Sequence, residues 1–534
     1  MRYAFHLQLS DVMTERLPQP ENPLVQMRAT DLVRRLASGE VSARAVVDAH
    51  IERIQAVNPQ LRAVVVTCFE EARRAADEAD ARRAQGALLG PLHGLPITIK
   101  ESFDLAGTPT TLGLTQRAYS RANQDAPLVA RLRQAGAIVL GKTNLPQIAM
   151  ANECENPLYG RTVHPLDARR APGGSSGGEA AIIAAYGSPL GLGSDIGGSL
   201  RLPAHACGIA SLKPTAHRLT MQGHAEVFPG MEAIVCQPGP MARHVEDLIL
   251  AMRVLTANGQ DTSRDPAVPP VPWTEPETTS TLQGLRVGYY LDNGLFRPAP
   301  AIRRAVREAA DALERRGAEV IPWPPPDVAE AFGLFIGILL ADDLRYARDL
   351  LADEPIWTPL WPYLLLVRLP NVARDMLARI ADVAGQRATA RLLRAARSRT
   401  ATGYWQLVEA QKRYRERFLA KLDEQRCDVL LCPADGLPAL THGASAYTTE
   451  AVSYTALYNL LGMPAGVVPW TAVGPNEESD RPDTVDLTQR TAREVERDSA
   501  GLPVGVQVVA RHWREDLVLR VMHALEQERQ PPSN

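Results

Sequence analysis

Short runs of aliphatic and β-branched residues recur along the chain, separated by longer segments whose apolar residues repeat every three to four positions. The short runs predict buried strands at residues 63–66, 97–99, 138–140, 285–290, 428–432, 466–468 and 505–509. The periodic segments predict helices that include residues 69–84, 125–135, 301–317 and 517–526. Strands that alternate with helices are typical of α/β proteins, so we predict an α/β fold in which helices cover a sheet.

Two further helices are predicted before the first strand. Thr30 is a suitable N-cap for the first helix, and Gly39 is suited to end it. The second helix begins at Ser42 and is expected to end at Asn58 and Pro59, because proline disfavours continuation of a helix.

Changes in composition mark segments outside this regular alternation. Residues 1–27 are a polar arm that contains prolines, and residues 527–534 are a short tail. Residues 327–405 are helical in pattern, apolar and rich in arginine, which makes them a candidate cap-like region. Residues 474–499 are charged and poor in large apolar side chains, so we predict an exposed insertion there.

The overall charge and the metal-binding residue types exclude several classes of protein. The 534 residues carry a formal net charge of −3, so the concentrated basic surface of a nucleic-acid-binding protein is not expected. None of the six cysteines belongs to a CxxC pair, and the eleven histidines form no HExxH motif. We therefore predict no metal site and no cofactor, and free thiols in a reducing compartment.

The chain shows no sequence feature of export or membrane insertion. Its first residues lack the apolar core of a signal peptide. No stretch approaches the ~20 apolar residues that a membrane-spanning helix requires. We therefore predict a cytoplasmic protein.

Lysine is rare in this chain, which draws attention to the lysine that ends the strand at 97–99. Only five of the 58 basic residues are lysines, and Lys100 directly follows Ile97–Ile99. A buried lysine can lose its proton and act as a base, whereas arginine stays charged. The alternative interpretation is that Lys100 occupies the end of this strand by chance.

Two loops rich in glycine and serine lie 24 residues apart. In residues 193–199, glycines precede Ser199, and successive backbone N–H groups in such a turn can bind an anion. We predict Ser199 as a nucleophile and place the N–H groups of Ile196, Gly197, Gly198 and Ser199 around a developing oxyanion. Taken alone, the loop is equally consistent with a tight structural turn.

The earlier loop, at residues 173–178, contributes Ser175. A hydroxyl can accept a proton from one partner while it donates to another, so Ser175 is suited to relay a proton from Ser199 to Lys100. The three residues form a serine–lysine variant of a nucleophile and its general base.

Two pattern matches point to other chemistry and are rejected. Residues 136–143 match the phosphate-loop pattern, but their central residues read as a strand rather than the loop that should follow one. Residues 174–178 match the nucleophile elbow of α/β-hydrolases, but no strand is predicted before them. His205, His217 and His224 cluster loosely, and we interpret them as packing or surface residues.

Together these motifs resemble the amidase signature family, and within it the fatty acid amide hydrolases. The resemblance spans residues 28 to 526, and its most specific parts are residues 173–178 and 188–201. It implies one domain with a twisted mixed β-sheet surrounded by α-helices. It also implies a triad of Ser199, Ser175 in a cis peptide, and Lys100, which cleaves amides through an acyl-enzyme.

The resemblance also implies a substrate class and its surroundings. It places Ala149 and Met150 beside the acyl chain and the reacting carbonyl, suggests fatty acid amides or N-acyl amines as substrates, and suggests a homodimer. In residues 356–380 we predict one helical face that bears apolar anchors beside arginines and suits peripheral membrane contact; a lid or core helix is the alternative. The anchors are Trp357, Leu360, Trp361, Leu364 and Leu365.

Other functions remain open from the sequence. A generalist amidase, esterase or carbamate hydrolase would use the same residues. The transfer subunit of a tRNA-dependent amidotransferase shares these loops but requires partner subunits. A lipid-binding scaffold without catalysis is the alternative outside the enzymes.

Overall fold

The structure is a computed structural model that describes residues 17–257, 265–278 and 281–529. The predicted arm and tail lie partly outside these residues. Within the described part, the strands are β1 (Val64–Thr67), β2 (Pro96–Lys100), β3 (Ile138–Thr143), β4 (Glu155–Asn156), β5 (Gly160–Arg161), β6 (Leu190–Asp195), β7 (Ala210–Lys213), β8 (Gln237–Ala242), β9 (Arg286–Tyr289), β10 (Glu319–Pro322), β11 (Val429–Pro433), β12 (Ala465–Ala472) and β13 (Pro503–Ala510).

Helices occupy most of the sequence between these strands. They are α1 (Pro23–Gln26), α2 (Ala29–Ser38), α3 (Ala43–Leu61), α4 (Phe69–Ala84), α5 (Pro127–Gln134), α6 (Gly177–Ala184), α7 (Arg201–Cys207), α8 (Val245–Leu255), α9 (Pro300–Arg315), α10 (Val328–Leu339), α11 (Arg345–Leu350), α12 (Trp361–Leu366), α13 (Asn371–Val383), α14 (Arg387–Ala395), α15 (Ala401–Glu424), α16 (Ser453–Leu461), α17 (Leu487–Glu496) and α18 (Glu515–Glu528).

Eleven of the described strands form one mixed sheet, which confirms the predicted α/β fold. Their order across the sheet is β1-β3-β2-β6-β8-β7-β12-β13-β11-β9-β10. Strands β3, β2 and β6 run parallel to one another, as do β11, β9 and β10. The strands between these two groups pair antiparallel.

The sheet separates two apolar cores. Neighbouring residues of a strand point to opposite faces, and β11 follows this rule. Leu431 belongs to the core that also contains residues of α3, α8, α9 and α18, whereas Leu430 and Cys432 belong to the core that contains residues of α10, α15 and α16. Helices therefore cover both faces of the sheet.

The segment 474–499 is only partly exposed, whereas its composition predicts an exposed insertion. Its helix α17 buries Ala492 and Val495 against Phe296 in a third apolar cluster. The charged residues Arg481 and Glu496 pair at 2.8 Å, with side chains 3% and 1% exposed. The prediction is wrong because small apolar residues and a buried ion pair replace the large side chains that usually indicate a core.

Helix α3 extends beyond the predicted stop at Pro59. It ends at Leu61, and the next residue, Arg62, adopts a left-handed conformation with φ of 51°. The N–H of Arg62 donates to the Asn58 carbonyl at 2.7 Å, which closes the last turn. Pro59 lies within that final turn.

The apolar anchors predicted on one helical face of residues 356–380 are split between two environments. Trp357, Leu360 and Leu364 are buried in the core, whereas Trp361 and Leu365 are 41% and 56% exposed. Helix α12 begins only at Trp361, after a 3₁₀ turn at Thr358–Leu360 that contains a proline. The prediction of a single face is therefore wrong: Trp357 and Leu360 lie before α12, and α12 itself buries Leu364 while it exposes Trp361 and Leu365.

Candidate active site

Lys100 lies at the carboxyl end of β2, next to β6. The two strands run parallel, with Ile99 opposite Leu192, so their carboxyl ends meet at one edge of the sheet. Ligands of α/β proteins commonly bind in the crevice at this edge. Lys100 is 1% exposed, and the loop after β6 begins beside it.

Ser175 lies in the loop that leads into α6 and contacts Lys100 directly. The Lys100 Nζ and Ser175 Oγ atoms are 2.7 Å apart. The Gly174–Ser175 peptide is cis. A side chain at Gly174 would collide with the backbone, because its Cβ would lie 2.3 Å from the Glu153 carbonyl oxygen.

Ser199 lies in the turn between β6 and α7 and is half-buried. The Ser176 N–H donates to the Ser199 carbonyl at 3.1 Å, so the loops that carry Ser175 and Ser199 are joined. Both serines line the same cavity. Among the described residues, the Ser199 hydroxyl forms no hydrogen bond to Ser175; such contacts are commonly loose without substrate.

The turn before Ser199 leaves three backbone donors without a protein partner in the described structure, those of Ile196, Gly197 and Ser199. The fourth predicted oxyanion donor is already used, because the Gly198 N–H donates to Asp195 Oδ1 at 2.8 Å. We therefore remove Gly198 from the predicted donors. Gly198 instead shapes the turn, with φ of 127° and a Cβ position 2.4 Å from Thr455 Oγ1.

A buried ion pair between Asp195 and Arg201 lies next to the turn that carries Ser199. Asp195 and Arg201 contact at 3.0 Å, and both side chains are fully buried. Asp195 also accepts from the Leu200 N–H at 3.1 Å, and Asn459 donates to it at 2.9 Å. Burial alone would raise the pKa of Asp195, but the Arg201 guanidinium and these donors hold it well below its usual range.

The environment of Lys100 favours its neutral form. Burial lowers the pKa of Lys100 from 10.5 to about 8, and the carboxylate of Asp195 only partly opposes this shift. Much more of Lys100 is therefore unprotonated near neutral pH than of an ordinary lysine, as a general base requires.

A cavity of about 630 Å³ opens beside the two serines. This volume is typical of a small-molecule site. Ala149 and Met150 line it, as do apolar residues of the segment 327–405. These are Phe335, Ile336, Leu339, Leu360 and Leu392. The predicted cap-like region therefore supplies one wall of the cavity.

Sequence reasoning missed two further residues of the site. Ser194 Oγ lies 3.0 Å from Lys100 Nζ, and His224 Nε2 lies 2.9 Å from Ser194 Oγ. Ser194 belongs to the recognised motif, and its place beside the end of β2 could have indicated it. His224 does pack, edge-on against Phe103, but its contact with Ser194 beside Lys100 was not predicted, because the long loop that brings it to the cavity leaves no periodic signal.

The other histidines of the loose cluster lie apart from Lys100. His205 is buried and contacts the backbone of Gly505 and Leu437. His217 lines the cavity. Within the described residues, no three histidine, cysteine or acidic side chains form a group that could hold a metal ion.

Comparisons with known proteins identify the family of this chain. The amidase family model, described as "Amidase", matches residues 45–519. Fatty-acid amide hydrolase 1 of Sus scrofa is 36% identical over 528 residues, which cover 98% of this chain and 88% of that protein. Fatty acid amide hydrolase 1 of Caenorhabditis elegans is also 36% identical, over 86% of this chain and 81% of its own.

A solved structure has the same fold. A structure described as fatty acid amide hydrolase superposes with a TM-score of 0.82 at 25% sequence identity. The match covers 95% of this chain and 86% of that one.

Proposed function

This chain belongs to the amidase family of amide-hydrolysing enzymes, and we propose that it cleaves fatty acid amides or N-acyl amines through an acyl-enzyme on Ser199. The observation that carries the proposal is the 2.7 Å contact between Lys100 Nζ and Ser175 Oγ at a cavity that Ser199 also lines. The fatty acid amide hydrolases among its relatives support the substrate class.

In the proposed mechanism, neutral Lys100 takes the proton of Ser175. Ser175 in turn takes the proton of Ser199 as the Ser199 Oγ attacks the carbonyl carbon. The N–H groups of Ile196, Gly197 and Ser199 donate to the oxyanion. The C–N bond then breaks, and the leaving amine receives a proton from Ser175, which regains one from Lys100.

Hydrolysis of the acyl-enzyme repeats these steps with water. Water loses a proton through Ser175 to Lys100 as its oxygen attacks the acyl carbon. The bond to Ser199 Oγ breaks, and the proton returns to that oxygen. The carboxylic acid is released, and the three side chains regain their starting protonation states.

The apolar wall of the cavity predicts a preference for long acyl chains. Each methylene that is buried contributes about 0.8 kcal/mol. We therefore expect kcat/KM to rise by up to about fourfold with each added methylene until the acyl chain fills the cavity. The measurement compares primary amides with acyl chains from two to eighteen carbons, and the short amides serve as internal controls.

Two results would contradict this substrate class. A flat dependence on chain length would indicate a generalist amidase that does not bury the acyl chain. Release of ammonia from glutamine in preference to every fatty amide would indicate the amidotransferase alternative instead.

An exposed apolar face on α13 supports the further proposal that the enzyme contacts lipid surfaces. Val372, Met376, Ile380 and Val383 are 55% to 91% exposed and lie on this helix. The exposed side chains of Trp361 and Leu365 on α12 precede it in the chain. No helix among the described residues is long and apolar enough to cross a membrane. A peripheral attachment through α12 and α13 uses these side chains without a spanning helix.

Introduction of negative charge on this face tests the attachment. The double variant Val372→Glu/Val383→Glu should lower the partition coefficient onto vesicles of anionic phospholipid by about tenfold or more, because two apolar anchors are lost. Vesicle sedimentation measures the bound fraction. Leu166→Glu, which alters an exposed leucine in another segment, is the control. Equal binding by all three proteins would refute the contact.

The homodimer and the cytoplasmic location remain predictions. The homodimer is an extension of the resemblance to the amidase signature family. The location follows only from the sequence features described above.

A further inference from the structure

Lys100 has a second hydroxyl neighbour that the proposed mechanism does not use. Its Nζ atom lies 3.0 Å from Ser194 Oγ as well as 2.7 Å from Ser175 Oγ. Ser194 is 2% exposed, and its carbonyl and N–H contact the Ser176 hydroxyl at 3.3 and 3.4 Å. Ser194 is therefore fixed beside the base.

The ring of His224 lies on the far side of Ser194. Its Nε2 atom is 2.9 Å from Ser194 Oγ and 2.9 Å from Ser102 Oγ. Backbone bonds hold the segment in place, since the Ala225 N–H donates to the Ser102 carbonyl and the Asp104 N–H to the Gly223 carbonyl, both at 2.8 Å. The ring also packs edge-on against Phe103, with centroids 4.7 Å apart.

The direction of the Ser194 hydroxyl decides whether Lys100 can act as a base. A neutral amine has one lone pair and two N–H bonds. If Ser194 donated its hydrogen to that lone pair, the lone pair would be unable to accept the proton of Ser175. If Ser194 donates elsewhere, it can accept an N–H of Lys100, and the lone pair stays directed at Ser175.

We propose that His224 is a positioning residue that accepts the Ser194 hydrogen on Nε2 and so keeps the Lys100 lone pair available to Ser175. The inference rests on the proposed function of Lys100 as the base. With the ring proton on Nδ1, Nε2 is an acceptor, and the hydrogen bonds run from Lys100 to Ser194 to His224. When Lys100 holds the transferred proton, the same chain of hydrogen bonds stabilises its charge.

The imidazole remains neutral in this position, as the proposed role requires. Burial, together with the nearby Lys100 charge, lowers the pKa of His224 from 6.5 to about 3, and a backbone contact with Ala225 only partly opposes the shift. A protonated ring would donate to Ser194 and reverse the direction of the chain of hydrogen bonds.

A double-mutant cycle on the full-length protein tests this role. The readout is the second-order rate constant for labelling by a fluorophosphonate at pH 8. His224→Leu removes the acceptor and should slow labelling about tenfold, which is the effect of one hydrogen bond to a charged or reacting group. In a Ser194→Ala background, the same change should slow labelling less than about twofold, because the bond through which His224 acts is already absent.

Two further variants separate positioning from packing. His224→Gln retains an acceptor and should recover most of the rate that His224→Leu loses. Ser102→Ala removes the other hydroxyl near the His224 Nε2 atom. Because the Ser102 hydroxyl does not contact Lys100, this variant should keep labelling within about twofold of wild type. Thermal unfolding midpoints of all variants show whether a loss of labelling reflects a loss of folded protein.

The outcomes distinguish this inference from the proposed function. Equal losses from His224→Leu in both backgrounds, or no loss in either, would overturn the role of His224. Those results leave the proposed function intact if Ser199→Ala and Lys100→Ala still abolish or impair labelling. Normal labelling of Ser199→Ala would instead overturn the proposed function and this inference together.

Discussion

Replacement of Ser199 by alanine should lower the turnover of a fatty acid amide by about 10⁵-fold or more, the scale seen when the nucleophile of a serine hydrolase is removed. The variant retains the cavity, the backbone donors of Ile196 and Gly197, and the contact between Lys100 and Ser175. It lacks the oxygen that forms the acyl-enzyme. Steady-state hydrolysis of a long-chain amide measures the loss in kcat.

A matched serine provides the control for this variant. Ser188 is buried in the same part of the chain, donates to the Leu190 carbonyl at 2.8 Å and is absent from the residues that line the cavity. Ser188→Ala should retain turnover close to that of wild type. Hydrolysis by Ser199→Ala at more than a few per cent of the wild-type rate would require another nucleophile.

Replacement of Lys100 by alanine should lower kcat/KM by about 10³-fold at pH 7, within the range for loss of a general base. The wild-type rate should fall as pH drops through about 8, because the lowered pKa of Lys100 places its protonation there and the charged amine cannot accept a proton. Above that pH, the rate should level off. In Lys100→Ala, this inflection should disappear.

Lys142 is a suitable comparison because it is also a buried lysine. Burial also lowers the pKa of Lys142 to about 8. Its Nζ atom, however, contacts Thr110 at 3.1 Å and the Pro109 carbonyl, not Ser175 or Ser194. Lys142→Met should keep the inflection of the pH–rate profile even if it lowers the unfolding temperature. An unchanged profile in Lys100→Ala would remove Lys100 from the role of base.

Periodicity and residue type predicted the architecture well where segments are strongly apolar. The predicted strand at 138–140 is part of β3, so the prediction that this run is a strand rather than a phosphate loop is confirmed. Segment 474–499 was misjudged because its core contacts come from Ala492 and Val495, and small residues carry little hydrophobic signal. Composition therefore predicted the large apolar core but not the smaller cluster around Phe296.

The residues of the candidate site were accessible from the sequence to different degrees. Lys100 and Ser175 occur in recognisable motifs, and the sheet brings the end of β2 beside the end of β6, as an α/β arrangement leads one to expect. The bond between the Gly198 N–H and Asp195 could not be predicted, because it depends on the detailed geometry of one turn. His224 could not be placed, because it lies in the irregular segment between β7 and β8, 30 residues from Ser194 along the chain.

The split of the anchors in 356–380 has a similar cause. Helical periodicity assumes one continuous helix, whereas a 3₁₀ turn at Thr358–Leu360 precedes α12, and α12 buries Leu364 while it exposes Trp361 and Leu365. The exposed apolar face that remains lies mainly on α13, a helix for which the sequence analysis predicted no anchors.

The site of covalent attachment shows which side chain is the nucleophile. The wild-type protein is treated with a fluorophosphonate, digested, and the modified peptide is fragmented by mass spectrometry to locate the adduct. The account predicts one adduct, on the hydroxyl of Ser199. An adduct on Ser175 or on another side chain, with Ser199 unmodified, would contradict it.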